Sequence, residues 1–183
     1  MEMSISELIK SDLCRHIGKD KVSKKQIIKH YLLNTGFKFM FWFRLCESKN
    51  KLLKFIAILM HRRISKKHML DIPRGTKIGH GFYIGHGGCI VINPTAIIGN
   101  NVNISQFTTI GSNEGQAATI GDNVYIGPSV CIVEDVVIGN DVKIGAGSVV
   151  TKDIPSNSVY AGIPARFIKE INENDLITRR YNL

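Results

Sequence analysis

The sequence predicts a mainly β chain: a parallel β-helix solenoid over residues 70–155, with an α-helical segment before it and a short helix after it. Two observations carry the prediction. The first is a series of isoleucines and valines that returns every sixth residue. It runs Ile72, Ile78, Ile84, Ile90, then Ile98, Ile104, Ile110, then Ile120, Ile126, Ile132, Ile138, Ile144 and Val150. The second is the glycine that follows the repeat position at 79, 85, 99, 111, 121, 127, 139 and 145. No helix period gives a strict step of six, and plain strand alternation does not require it. A fixed short period means stacked repeats that bury one continuous core.

The elements follow in chain order. Ser4 and Glu7 fit a capping box ahead of Leu8 and Ile9, and residues 4–34 read as helix. A second helix is expected over about 37–65, carrying Phe37, Met40, Phe41, Leu45, Leu52, Leu53, Ile56, Leu59 and Met60. Pro73 and Gly75 stop any helix near position 70. Three hexads make a coil of about 18 residues, and strands of neighbouring coils lie about 4.8 Å apart. The register slips between Ile90 and Ile98 and again between Ile110 and Ile120, so loops are expected there. Solenoids place binding features at such interruptions. Asp153-Ile154-Pro155 ends the repeat, and the polar tail 169–183 reads as helix. The expected units are 1–69, a basic helical segment; 70–155, the solenoid; and 156–183, a C-terminal extension.

Charge divides the chain at the same place. Residues 1–70 hold 16 Lys+Arg and 5 Asp+Glu, a net of +11; residues 71–183 hold 8 and 10, a net of −2. The basic aromatic stretch 37–67 suits either a cap packed on the solenoid or a subunit neighbour, or a helix lying on an anionic membrane. No nucleic-acid-binding module is recognisable, so no nucleic acid partner is expected. The apolar run Leu52–Met60 contains Lys54 and is far shorter than the roughly 20 residues that span a bilayer. Met1–Lys10 carries two Glu before any apolar run, unlike a signal peptide. Cys14, Cys46, Cys89 and Cys131 form no C-x-x-C pair and read as reduced, mostly buried thiols of a cytoplasmic protein. No metal motif is present.

The register, the coil Ile144-Gly145-Ala146-Gly147-Ser148-Val149-Val150 and the ending Ala161-Gly162-Ile163-Pro164-Ala165-Arg166 resemble the hexapeptide-repeat acyltransferases, whose β-helix is left-handed. Within that family, Leu70-Asp71-Ile72-Pro73 through Ile84-Gly85-His86-Gly87-Gly88 is similar to the serine acetyltransferase branch, which includes O-acetyltransferases of exopolysaccharide and colanic acid synthesis. The resemblance implies acetyl-CoA as co-substrate, no metal and a homotrimer.

His86 is the leading catalytic candidate. Its small neighbours open the imidazole to a cleft, and moving an acetyl group from a thioester to a hydroxyl needs a base that works near neutral pH. The family's histidine at this position deprotonates the acceptor, and its Asp, here Asp71, orients the imidazole. His80, six residues earlier, belongs to another corner and reads as structural. Coil arithmetic puts Gln106 beneath His86. Gln106, Asn113 and Gln116 are candidate acceptor-binding residues. Gly111, Gly127, Pro128, Ala146 and Gly147, with Lys152, Arg166 and Lys169 for phosphates, are candidates for CoA. True serine acetyltransferases carry an Arg-His pair where this chain has Gln116 and Ala117, and an Asp where it has Gly85. That departure gives the expected acceptor as a sugar hydroxyl of a bacterial surface polysaccharide or its precursor. The expected place of action is the cytoplasm, at the inner face of the membrane if the basic segment binds lipid. Two alternatives stand beside this reading: a serine O-acetyltransferase of cysteine biosynthesis, and a non-catalytic β-helix scaffold.

Overall fold

The computed structural model describes residues 3–172 and 177–182. The helical segment forms four helices rather than two: α1 (Ile5–Ile17), α2 (Lys24–Leu33), α3 (Thr35–Leu45) and α4 (Lys51–His68). The capping box forms as expected. Glu7 N–H donates to Ser4 Oγ at 3.3 Å, and Ser4 N–H donates to the Glu7 carboxylate at 2.8 Å. Gly18, at φ 88°, breaks the first expected helix. Ser23, Asn34 and Asn50 each accept from the third N–H beyond, so each starts a new helix. Such caps are two or three atoms wide and leave little trace in an apolar pattern. Helix α3 is the hub, burying Phe37, Phe39, Met40 and Phe43, with the other helices packed around it.

A polar clasp fixes this helical cap to the first coil. Asp12 and Arg44 form a two-toothed ion pair at 2.9 and 3.1 Å, fully inside the protein. Arg44 also donates to the Ile78 and Gly79 carbonyls, and Asp12 accepts from Phe82 N–H. Arg15 donates to Gly81 O and Asn103 Oδ1, and Gly81 N–H donates to Ser11 Oγ. A buried ion pair holds only when its remaining donors and acceptors are met, as they are here.

The solenoid has three faces of short parallel strands. The first face stacks Leu70–Asp71, Ile90–Ile92, Thr109–Ile110, Cys131–Ile132 and Val149–Val150. The second stacks Lys77–Ile78, Ile97–Ile98, Thr119–Ile120 and Val137–Ile138. The third stacks Tyr83–Ile84, Asn103–Ile104, Tyr125–Ile126, Lys143–Ile144 and Ser158–Ala161. The hexad isoleucines fill the core, Ile84, Ile104, Ile126 and Ile144 all being buried. Pairing moves the first slip. Tyr83 pairs with Asn103, twenty residues on, whereas Val91 pairs with Thr109, eighteen on. The two extra residues therefore sit in the turn after Ile84, which contains His86, and not between Ile90 and Ile98.

The three corners differ in kind. The histidine corner joins the third face to the first, and the loop corner joins the first to the second. The asparagine corner, between the second and third faces, carries a ladder of side chains. His80 N–H donates to Asn100 Oδ1, Asn100 N–H to Asp122 Oδ1, Asp122 N–H to Asn140 Oδ1 and Asn140 N–H to Ser156 Oγ, at 2.7–3.0 Å. Beside it runs a column of left-handed residues, Asn101, Asn123, Asp141 and Asn157, types that tolerate positive φ.

Two expectations fail at the C-terminus and the surface. The tail forms no helix over its described residues. Arg166–Glu170 is a strand antiparallel to Ser158–Ala161, because the polar tail finds an open sheet edge to pair with; residues 173–176 and 183 lie outside the described residues. Cys131 is exposed on an outward strand position, although Cys14 and Cys46 are buried and Cys89 is half-buried.

Candidate active site

His86 stands exposed in the turn that interrupts the repeat. The helical cap braces this turn. A Cβ on Gly87 would meet Thr35 Cβ at 2.8 Å and Gly36 N at 2.9 Å, and Cys89 N–H donates to His68 O at 3.1 Å. The start of α3 and the end of α4 thus press on the turn from behind and leave the imidazole facing out.

The histidine corner continues beneath it. Ser105 N–H donates to Ile126 O as Gly85 N–H donates to Ile104 O, so Gln106 is the coil equivalent of His86. Ser129 N–H donates to Gln106 O, and Gly147 N–H donates to Pro128 O. Gln106, Gly127, Pro128, Ala146 and Gly147 are thereby aligned with His86 along one edge. The edge ends at the turn 162–165, where Gly162 O accepts from Val149 N–H and the exposed Arg166 follows. Four steps of about 4.8 Å give an edge about 19 Å long. Three features favour a ligand there. Gln106 Oε1 is buried with no hydrogen-bond partner, a costly state that a donor would relieve. Ala146 N–H has no partner among the described residues, whereas the Gly127 and Gly147 N–H groups are already committed to coil-to-coil bonds. Open space surrounds Gly147.

Other sequence candidates lie elsewhere on the protomer. Asp71 pairs with Val91 on the first face, and no hydrogen bond joins it to His86. It lines a cleft of about 460 Å³ with Ser65, Arg62, Lys66 and Arg74. Gly111, Asn113, Gln116 and Lys152 belong to the loop corner, across the first face from His86. Lys169 is exposed on the C-terminal strand. His80 occupies the asparagine corner, its Nε2 3.2 Å from Tyr181 O, and so serves the structure as expected.

The loop corner holds a feature that the sequence analysis missed. Asn113, Glu114 and Gly115 N–H and the Ser112 hydroxyl all donate to one oxygen of Glu134, at 2.8–3.0 Å. These donors, Gly115 N–H first among them, lower the Glu134 carboxyl to about 2. The insertion is therefore a folded loop closed around a carboxylate. The clue available was a Ser-Asn-Glu-Gly turn one coil before an acidic residue.

A model of bacterial transferase hexapeptide repeats (six repeats) matches residues 117–152. Serine acetyltransferase 3, mitochondrial, of Arabidopsis thaliana is 43% identical over 119 residues, covering 63% of this chain and 30% of that protein. The chain thus spans about a third of the curated relatives it matches. A solved soybean serine acetyltransferase complexed with serine superposes with a TM-score of 0.75 and 32% identity, over 90% of this chain and 70% of that one. A serine acetyltransferase in complex with CoA gives 0.74 and 29%, over 90% and 70%. These likenesses overturn the expected sugar acceptor and the exopolysaccharide branch. The physical reason is local. The sugar reading rested on uncharged residues at 85, 116 and 117. On one protomer, however, Gln116 and the buried Ala117 stand a full face away from His86, and the cleft at Asp71 carries charges of both signs.

Proposed function

We propose, for a chain that belongs to the hexapeptide-repeat transferase family and is homologous to serine acetyltransferases, that it transfers an acetyl group from acetyl-CoA to the hydroxyl of serine. The observation that carries this reading is the histidine corner: one lengthened turn presents His86 at the head of an edge with an unpaired amide oxygen and small residues below it. Acetyl-CoA supplies the activated acetyl thioester. His86 accepts the proton of the serine hydroxyl as that oxygen bonds to the acetyl carbon, and returns a proton to the departing thiolate. Asp71 stabilises the imidazolium by its charge. Ala146 N–H and Arg166 bind CoA along this edge, Arg166 taking a phosphate.

The working form is a homotrimer. Outward Val91 and Cys131 on the first face and Phe107 at its edge, 59% exposed, support a subunit contact beside His86. The neighbour's loop corner, with Asn113 and Gln116, turns this exposed edge into a closed groove. Its setting is the cytoplasm, where a reducing medium suits four free cysteines.

The test is release of free CoA from acetyl-CoA with and without L-serine. Serine-dependent release is expected, and His86→Ala lowers it by about 10² or more, the scale of a general base. His80→Ala changes it far less. Tight CoA binding without serine-dependent release overturns the acceptor, and equal loss in the two variants overturns His86.

A further inference from the structure

Helix α4 is amphipathic in a way that its own packing does not use. Its inner side buries Ala57, His61 and Ile64. At 3.6 residues per turn, Leu52, Phe55, Ile56 and Leu59 fall on the opposite side, and they are 41–69% exposed. The same outer stripe continues through Arg62, Arg63 and Lys66, all exposed. The helix carries six Lys+Arg and no acidic residue. Helix α2 repeats the pattern on a smaller scale: Ile28, Leu32 and Leu33 are 62–77% exposed, alongside exposed Lys24, Lys25 and Lys29. Helix α4 gives the solenoid core Ile64 from its inner side, and α2 gives it no buried residue, so neither outer stripe is used in that core. A monomer leaves single apolar residues outside, but a basic-edged row of them marks a surface meant to be covered.

Charge decides what covers it. A second copy docked through the same face would bring two segments of net +11 together. An anionic bilayer neutralises that charge and receives the Leu and Phe side chains at the level of its headgroups. No helix among the described residues is long and apolar enough to cross a membrane, so the contact is with the surface. We infer that α4, assisted by α2, docks the protein onto anionic lipid headgroups. The proposal is independent of the acceptor, since neither stripe contributes a residue to the histidine corner.

Cosedimentation of the full chain with vesicles tests it, comparing phosphatidylcholine alone with phosphatidylcholine containing phosphatidylglycerol. Binding is expected only to the anionic vesicles and is expected to fall steeply between 0.1 and 0.5 M salt, both concentrations chosen to bracket an approximate screening length of 10 to 4 Å. Arg63→Glu/Lys67→Glu, both exposed in the last turns of α4 and outside the Asp71 cleft, lowers the partition coefficient by at least about 20-fold, at roughly 1 kcal/mol per basic residue. Phe55→Ser/Leu59→Ser, both exposed and so harmless to the fold, lowers it at low salt too. Absence of binding, or equal binding to both vesicle types, overturns the proposal. So does self-association of the parent chain that Phe55→Ser/Leu59→Ser abolishes while no vesicle binding is seen.

Discussion

Gly87 sets the position of the histidine turn. With Thr35 and Gly36 already within 3 Å of its missing Cβ, any side chain there must push the turn off the helices. Gly87→Ala is therefore expected to lower kcat of the proposed reaction by about 10-fold or more through misplacement of His86. The melting temperature should move by only a few degrees. Steady-state rates beside a thermal melt check this, and an unchanged kcat refutes the bracing role. His86 was legible in the sequence because a histidine among three glycines stands out against a repeat. The seat of the two extra residues was not, because they lie before Ile90 and the isoleucine series hides them. Glu134 was illegible for a similar reason: its four donors lie 19–22 residues away, and only the coil length brings them near.

At the scale of elements, the strands were read from periodicity because one face of each must be buried every coil. The helices were misjudged in number because their breaks, at Gly18 and at 46–50, depend on single polar caps. The cap they build has a pH dependence. His61 packs on Phe39 and Phe43, and His16 on Tyr83, and burial lowers each to about 4. A histidine held neutral when folded binds fewer protons than it does unfolded. Its contribution is complete above about pH 6.5 and is lost as pH falls from there towards 4. By pH 5 the loss is about 1–2 kcal/mol for each. Urea unfolding followed by the fluorescence of Trp42, which lies in α3, should show a lower midpoint at pH 5 than at pH 7, and His61→Leu should flatten the difference. Equal midpoints in the parent chain at the two pH values would refute this account.

For the whole molecule, the hydrophobic stack explains the fold, but one protomer leaves the histidine edge open beside the first face. The proposed trimer predicts a sedimenting species of three times 20.4 kDa. Phe107→Glu, at the exposed rim, is expected to shift it towards protomers and to reduce acetyl transfer with them. A fully active monomer would refute the shared groove.

The asparagine corner has a further meaning for change over generations. Each amide there reaches for a side chain one coil on, so the corner works as a ruler that keeps its own rungs in line whatever the length of the lap between them. Both lengthened turns, the one with His86 and the one closed on Glu134, fall at the other two corners, where no such ruler runs. New loops, tags or grafted segments should be accepted at those two corners in the coils beyond the braced His86 turn, while one added residue at the third would break the rungs of its own coil.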